Sequence, residues 1–305
     1  MENNLFAPVI IFAFNRYDLF VQLISSLKNN HYSTQTDLFI FIDGPRNQYD
    51  KQEINKIVNF IPLIGHFKSI NVYSSEVNKG LANSIISGVS EIINIYGKAI
   101  ILEDDLMCST NFLKFMNDSL NYYQENKNVF SISGYSYNFP LKNVSVCDVY
   151  FHNRNSTWGW ATWKDRWNGC IWDKQYFENE VKDLQNIKIL RDSCNDLPNL
   201  LNKYLTNKIN SWAIRWTYYQ YKHQGLTVYP ILSKTRNVGF DHRATHTKNE
   251  TRFDVKLDES NVLSFNLCSE VSPQLSNEVN VLFRKKFSFK SRLINKIWQI
   301  LKISY

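Results

Sequence analysis

The chain has 305 residues, 44% hydrophobic and 15% aromatic, enough apolar material to bury a sizeable core and to exclude a disordered protein. Part of its formal net charge of +7 sits near the end, at Arg284, Lys285, Lys286, Lys290, Arg292, Lys296 and Lys302, which reads as a basic terminal segment rather than a nucleic-acid surface. Five scattered cysteines (Cys108, Cys147, Cys170, Cys194, Cys268) contain no close CxxC pair, so neither a zinc site nor a disulfide framework is expected. Residues 1–8 lack the pattern of a secretory signal, and no run approaches the ~18 apolar residues of a spanning helix; the expected location is cytoplasmic.

Residues 8–16 form a continuous apolar run ending in Asn15-Arg16, as expected of a strand buried on both faces of a parallel sheet. A helix is predicted from Asp18 through Leu27. A second strand, Leu38 to Ile42, stops at Asp43-Gly44-Pro45, and the amphipathic stretch Lys51 to Asn59 follows. A third, Ser69 to Ser74, leads through Asn78-Lys79-Gly80 into a helix over 81–96. The fourth, Ala99 to Leu102, precedes a helix over 111–123. This alternation predicts an α/β fold with a mostly parallel sheet covered by helices on both faces, spanning roughly residues 6–125. From Val129 the pattern changes to short strands at Phe130–Ser133 and Val149–His152 and a segment dense in tryptophan between Trp158 and Trp172.

Three consecutive carboxylates, Glu103-Asp104-Asp105, directly follow the fourth strand. Ligands of open α/β sheets bind in the crevice outside the strands' carboxyl ends, and adjacent ionised carboxylates repel one another unless a cation or donors compensate. The cluster therefore points to a divalent cation, Mn2+ or Mg2+, shared with the oxygens of a diphosphate. Neither GxGxxG nor GxxxxGK[ST] is present. The plainer alternative is an acidic turn that caps the following helix.

Four stretches carry a resemblance to a known family: Phe14-Asn15-Arg16, Ile42-Asp43, Ile101 to Leu106 with Phe112 and Phe115 downstream, and Phe130 to Gly134. Their arrangement resembles the GT-A fold of nucleotide-sugar-dependent glycosyltransferases, and the local sequence is similar to the N-acetylglucosaminyltransferase I type and its bacterial relatives; the segment 229–246 resembles their carboxyl-terminal loop. The resemblance implies that Arg16 and Asp43 contact the nucleotide, that Glu103 and Asp104 touch sugar or ribose, and that Asp105 binds the metal. His246 stands where such enzymes can place a histidine that reaches metal or diphosphate. The implied reaction transfers a sugar, as from a UDP-sugar, to a hydroxyl of a glycan or lipid-linked glycan, with inversion. Rival readings are a sugar nucleotidyltransferase and a non-catalytic glycan-binding scaffold.

The chain departs from its relatives at Ala213, where they carry a base aspartate. Asp241 and Asp165 are the nearby alternatives, and the Lys164 and Arg166 flanks of Asp165 weaken it as a base. Trp158 and Trp160, with Gly159 between them allowing close approach, are candidate sugar-stacking residues, whereas Trp163 and Trp167 read as core. Arg215 and Lys234 are further candidates for diphosphate neutralisation. The expected organisation is a catalytic domain over 1–282, with a donor part (6–125) and an acceptor part (126–282), and a basic amphipathic tail over 283–305 that can lie on an anionic membrane surface.

Overall fold

The computed structural model describes residues 6–144, 146–194, 196–240, 252–291 and 293–294. In chain order the elements are β1 (Val9–Ala13), α1 (Tyr17–Lys28), β2 (Asp37–Ile42), α2 (Gln48–Phe60), β3 (Ser69–Ser74), α3 (Leu81–Tyr96), β4 (Lys98–Glu103), β5 (Leu106–Cys108), α4 (Phe112–Tyr122), β6 (Val129–Ser133), β7 (Val149–His152) and β8 (Trp160–Trp163). There follow α5 (Lys164–Trp167), α6 (Lys174–Glu180), α7 (Leu184–Ser193), α8 (Leu197–Leu205), α9 (Trp212–Lys222), β9 (Leu226–Pro230), β10 (Thr235–Asn237) and α10 (Pro273–Lys286).

The expected α/β class is the observed one. An eight-stranded sheet runs β3-β2-β1-β4-β8-β6-β9-β7, with β5 and β10 forming a separate antiparallel ribbon. The first four strands are parallel, in the order of half a doubly wound sheet. The chain moves outward from β1 to β3 and then returns across β1 to β4, so the crevice between the carboxyl ends of β1 and β4 is a topological switch point. Beyond β4 the sheet is mixed: β8 pairs antiparallel with both β4 and β6, β9 is parallel to β6, and β7 closes the edge antiparallel.

Alternation along β1 sends Val9, Ile11 and Ala13 to the face covered by α1 and α4, and Ile10 and Phe12 to the face covered by α3 and α9. In α3 the buried positions Ala82, Ile85, Val89, Ile92 and Ile93 recur at the spacing that gives a helix one apolar side. A third cluster, built from Tyr135, Tyr137, Tyr150 and Tyr229 with side chains of α8 and α10, lies under the second half of the chain.

Two expectations are corrected by this packing. Phe283 and Phe287 are fully or almost fully buried in that third cluster, so a boundary at 283 cuts through α10, which belongs to the domain. Phe289 and Leu293 beyond it are exposed. Cys147 and Cys268 form a disulfide across 121 residues, joining the segment just before β7 to the segment before α10; their distance in sequence hid the pairing.

Candidate active site

β1 ends at the switch point and delivers Phe14, Asn15 and Arg16; β4 ends there and delivers the three carboxylates. They line one cleft of about 980 Å³, walled on one side by Asp43, Arg46, Tyr49 and Asp50 and on the other by residues 208–213 and Trp158. Each carboxylate has a different environment. Asp104 Oδ2 accepts from the Phe14 backbone N–H at 3.0 Å, which ties the ends of β1 and β4 together. Asp105 Oδ2 accepts from Arg16 Nη1 at 2.8 Å, whereas its Oδ1 is buried without a hydrogen-bond partner among the described residues. Burial and the neighbouring carboxylates push Glu103 up to about 8 and Asp104 up to about 7; burial also raises Asp105, against the pull of Arg16 and of the nearby Asn237 side chain.

An orphaned buried carboxylate oxygen beside two reluctantly ionised carboxyls is a donor set that fits a divalent cation. Among the described residues no three His, Cys, Asp or Glu side chains converge into a closed metal site. Such a cation held by Asp105 would thus need oxygens from its substrate, the usual arrangement for Mg2+ at phosphates.

Asp43 lines the cleft, but its carboxylate accepts three backbone N–H groups, from Gly44 (2.9 Å), Lys79 (2.8 Å) and Gly80 (2.9 Å), and so holds the turn that starts α3. Asp50, which sequence reasoning missed, is buried beneath the same wall. It accepts from Asn15 Nδ2 at 2.6 Å and Arg46 Nε at 2.9 Å; burial raises its carboxyl, but these hydrogen bonds outweigh burial and leave it below the ordinary range. The signal was present as Asn47-x-x-Asp50, in which Asn47 caps α2 by accepting from the Asp50 N–H. Arg46 in turn lies 4.6 Å over the Phe14 ring.

The ribbon of β5 and β10 was also missed, because three-residue strands carry almost no periodicity. It brings the segment after β10 onto the acidic cluster: the Val238 N–H donates to the Asp105 carbonyl at 2.8 Å, and a Cβ on Gly239 would come within 2.4 Å of Asp105 Oδ2 and 2.5 Å of Arg16 Nη1.

Several expected site residues are not brought there. Trp160 is 1% exposed in the core on the α3 face, stacked on Trp212 at 5.1 Å and beside Trp167, so it cannot meet a sugar; its place in β8 points it inward. Trp158 is half-buried on the cleft wall, edge-on to Tyr135. Gly159, at φ +71, makes room for Thr235 rather than a sugar, since a Cβ there would be 2.6 Å from that side chain. Trp163 and Trp167 are buried as expected, Trp163 at the end of β8 and Trp167 at the end of α5.

Asp165 is excluded as the base by topology. β8 runs antiparallel to β4, pairing Trp163 with Lys98, so Asp165 lies past the opposite end of β4, which is itself roughly 16 Å from Glu103 at ~3.3 Å per residue. There it is half exposed and paired with Arg166 and Lys127. Lys234 is buried against Asp258, and Arg215 donates to the Ser211 and Trp172 carbonyls; neither lines the cleft. Ala213 does line it. Asp241 and His246 lie outside the described residues.

No protein-family model matches the sequence, and no curated protein matches it. Among solved structures, the chain is similar to S. aureus TarS 1–349 in complex with UDP (15% identity over 41% of this chain and 34% of that one, TM-score 0.30). It is also similar to the mannosyltransferase PcManGT from Pyrobaculum calidifontis in complex with GDP-Man and Mn2+ (8% identity, 53% and 46%, TM-score 0.35), and to the bifunctional glycosyltransferase WbbM (10%, 43% and 23%, TM-score 0.25). The chain spans less than half the length of each. Likenesses this slight assign no family.

Proposed function

We propose that the protein is a GT-A-type glycosyltransferase that binds a nucleotide-diphospho-sugar, a UDP-sugar in the first instance, in the switch-point cleft and transfers the sugar to a hydroxyl of a glycan or glycolipid. The observation that carries this reading is Asp105 at the end of β4, with one oxygen on Arg16 and the other unpartnered among the described residues, in a cleft of nucleotide-sugar size. Mn2+ or Mg2+ held by Asp105, with His246 as a further proposed ligand, would supply a Lewis acid for the departing diphosphate.

The chain's own groups have separable tasks in this reading. The Phe14 ring and the Arg46 guanidinium offer a surface for the base, and Asp43 Oδ2, which accepts one backbone N–H, keeps capacity for a ribose hydroxyl. Arg16 supplies positive charge beside the diphosphate. Glu103 and Asp104 stand next to Asp105, where the sugar would lie, and Trp158 faces the acceptor side. Asp241 is the proposed base, and inversion the proposed outcome. The exposed Phe289 near Arg284, Lys285 and Lys290 supports a lipid-linked acceptor at an anionic membrane surface. A flotation assay should therefore compare the full chain with one truncated after Ser288, which keeps α10 and Phe287; equal membrane binding would defeat the lipid-surface reading.

The test is calorimetric titration of UDP with and without Mn2+, on the wild type and on Asp105→Asn. Metal-enhanced binding lost in the variant is the expected result; no UDP binding in either condition would overturn the reading. Ala213 on the cleft wall favours one rival, a non-catalytic glycan-binding protein, and metal-dependent hydrolysis of a UDP-sugar by the purified protein would exclude it.

A further inference from the structure

The ribbon that rests on Asp105 is held at its other end by backbone bonds, the Lys234 and Thr235 N–H groups donating to the Gly134 carbonyl at 2.7 and 3.2 Å, and by one buried carboxylate that reaches both of its roots. Asp258 accepts from Lys234 Nζ, at the root of β10, and from Asn111 Nδ2 at 2.9 Å, three residues past the end of β5. Its other oxygen accepts from the Ser260 N–H at 2.8 Å, and its own N–H donates to the Ser233 carbonyl at 2.8 Å. The two roots are also joined directly, because the Ser109 N–H donates to the Lys234 carbonyl at 2.9 Å and Ser109 Oγ to Asn111 Oδ1 at 2.8 Å. The Asp258 side chain is 2% exposed; burial raises its carboxyl, but these contacts outweigh burial and bring it down to about 2.

Asp258 lies on a strap, residues 252–268, that carries no helix or strand and is itself anchored at both ends. Near its start Asp254 pairs with Arg236 of β10 at 2.6 and 2.9 Å. Near its end Cys268 is bonded to Cys147, its carbonyl accepts from Tyr123 Oη at 2.6 Å, and the Asn266 N–H donates to Asp148 at 2.8 Å. A fixed strap therefore grips the root of the ribbon through Lys234 and Asn111 and the middle of β10 through Arg236, while the far end meets Asp105 through Val238 and Gly239.

We propose that Asp258 is a positioning residue: by clamping Lys234 and Asn111 it sets how Val238 and Gly239 rest on Asp105, and thereby the geometry in which Asp105 meets the metal and diphosphate. The consequence for metal and diphosphate rests on the donor-binding reading above; the mechanical coupling does not. Three-residue strands give the ribbon too few hydrogen bonds to hold its register unaided, so control falls to the buried groups at its root.

Two measurements on Asp258→Asn separate the parts. Hydrogen exchange at the Val238 and Gly239 amides should accelerate at least tenfold beyond the change at β1 amides, which follow global stability. Acceleration no greater than that of β1 would overturn the coupling. Calorimetry should show the Mn2+ enhancement of UDP affinity reduced about tenfold while metal-free UDP affinity is kept. An intact enhancement together with loosened amides would overturn the catalytic consequence, and wild-type protein without any Mn2+ enhancement would overturn the donor reading itself while leaving exchange to judge the coupling. Should Asp258→Asn not fold, Asn111→Ala frees the β5 root and leaves the Lys234–Asp258 pair, and the same criteria apply to it. Lys234→Gln combined with Asp258→Asn removes both charges but retains a hydrogen-bonding pair, and should restore slow exchange.

Discussion

Arg16 Nη1 and Asp105 Oδ2 meet at 2.8 Å across the switch point, one residue arriving from β1 and the other from β4. The guanidinium opposes the rise that burial imposes on the Asp105 carboxyl and is a positive charge next to all three carboxylates. Its removal should leave the cluster under-neutralised and destabilise the metal-free protein by about 1–3 kcal/mol, as for a lost charge-assisted hydrogen bond at a mostly buried site. A bound divalent cation would restore that charge. Thermal melts of Arg16→Ala should therefore show a larger Mn2+-induced rise in Tm than wild type; equal shifts would mean that arginine and cation do not serve the same carboxylates.

Gly239 presses its backbone against that pair, so Gly239→Ala puts a methyl where Asp105 Oδ2 and Cβ stand, at 2.4 and 2.6 Å. Arg16 can swing away, but Asp105 Cβ cannot without moving the chain. The expected result is a roughly tenfold loss of Mn2+-enhanced UDP affinity, about 1.4 kcal/mol, with metal-free UDP binding retained. Calorimetry on both forms checks it, and an unchanged enhancement would show that the ribbon does not constrain the carboxylate.

What could be read from the sequence follows from how much repetition each feature carries. β1 to β4 and α1 to α4 announce themselves through long apolar runs and helical spacing, and the carboxylates mark a strand end, so the front of the molecule and the position of Glu103 to Asp105 were legible. β5, β8 and β10 are three or four residues long, and their partners lie far away in sequence. The direction of β8 decided where Trp160 and Asp165 fall, and no local pattern encodes it. Composition alone could not separate a tryptophan that stacks on a sugar from one that fills a core. The same holds for Cys147 and Cys268, which only the fold brings together.

The two tryptophans now make a direct contrast. Trp160 is buried among Trp167, Trp212 and Trp216, so Trp160→Ala should cost about 3–5 kcal/mol in denaturant unfolding while leaving UDP affinity of the folded fraction unchanged. Trp158→Ala should do the reverse in kind, lowering turnover with an acceptor more than stability, because its ring borders the cleft and is only half-buried. A Trp160→Ala protein with full stability would contradict the buried assignment.

His152 supplies a pH dependence with a definite sign. Its Nδ1 accepts from the Arg154 N–H at 2.9 Å and its ring stacks on Phe283 at 3.6 Å, an arrangement open only to the neutral imidazole. Burial, and then the charges of Arg154, itself paired with Asp196, and of Arg284 push it down to about 3. An unfolded histidine titrates near ~6.5. Between those values the unfolded chain holds a proton that the folded chain does not, so stability from this site is complete above ~6.5 and is lost as pH falls toward 3, at up to about 1.4 kcal/mol per pH unit. Glu103 and Asp104, raised in the folded protein, act in the opposite direction over part of the same range, becoming less destabilising as pH falls. The difference between wild type and His152→Phe therefore isolates the histidine. Denaturant midpoints of the two proteins should diverge between about pH 7.5 and about pH 5, with wild type losing more; parallel curves would place a protonatable, solvated imidazole at 152 and undo the packing of α10 against β7.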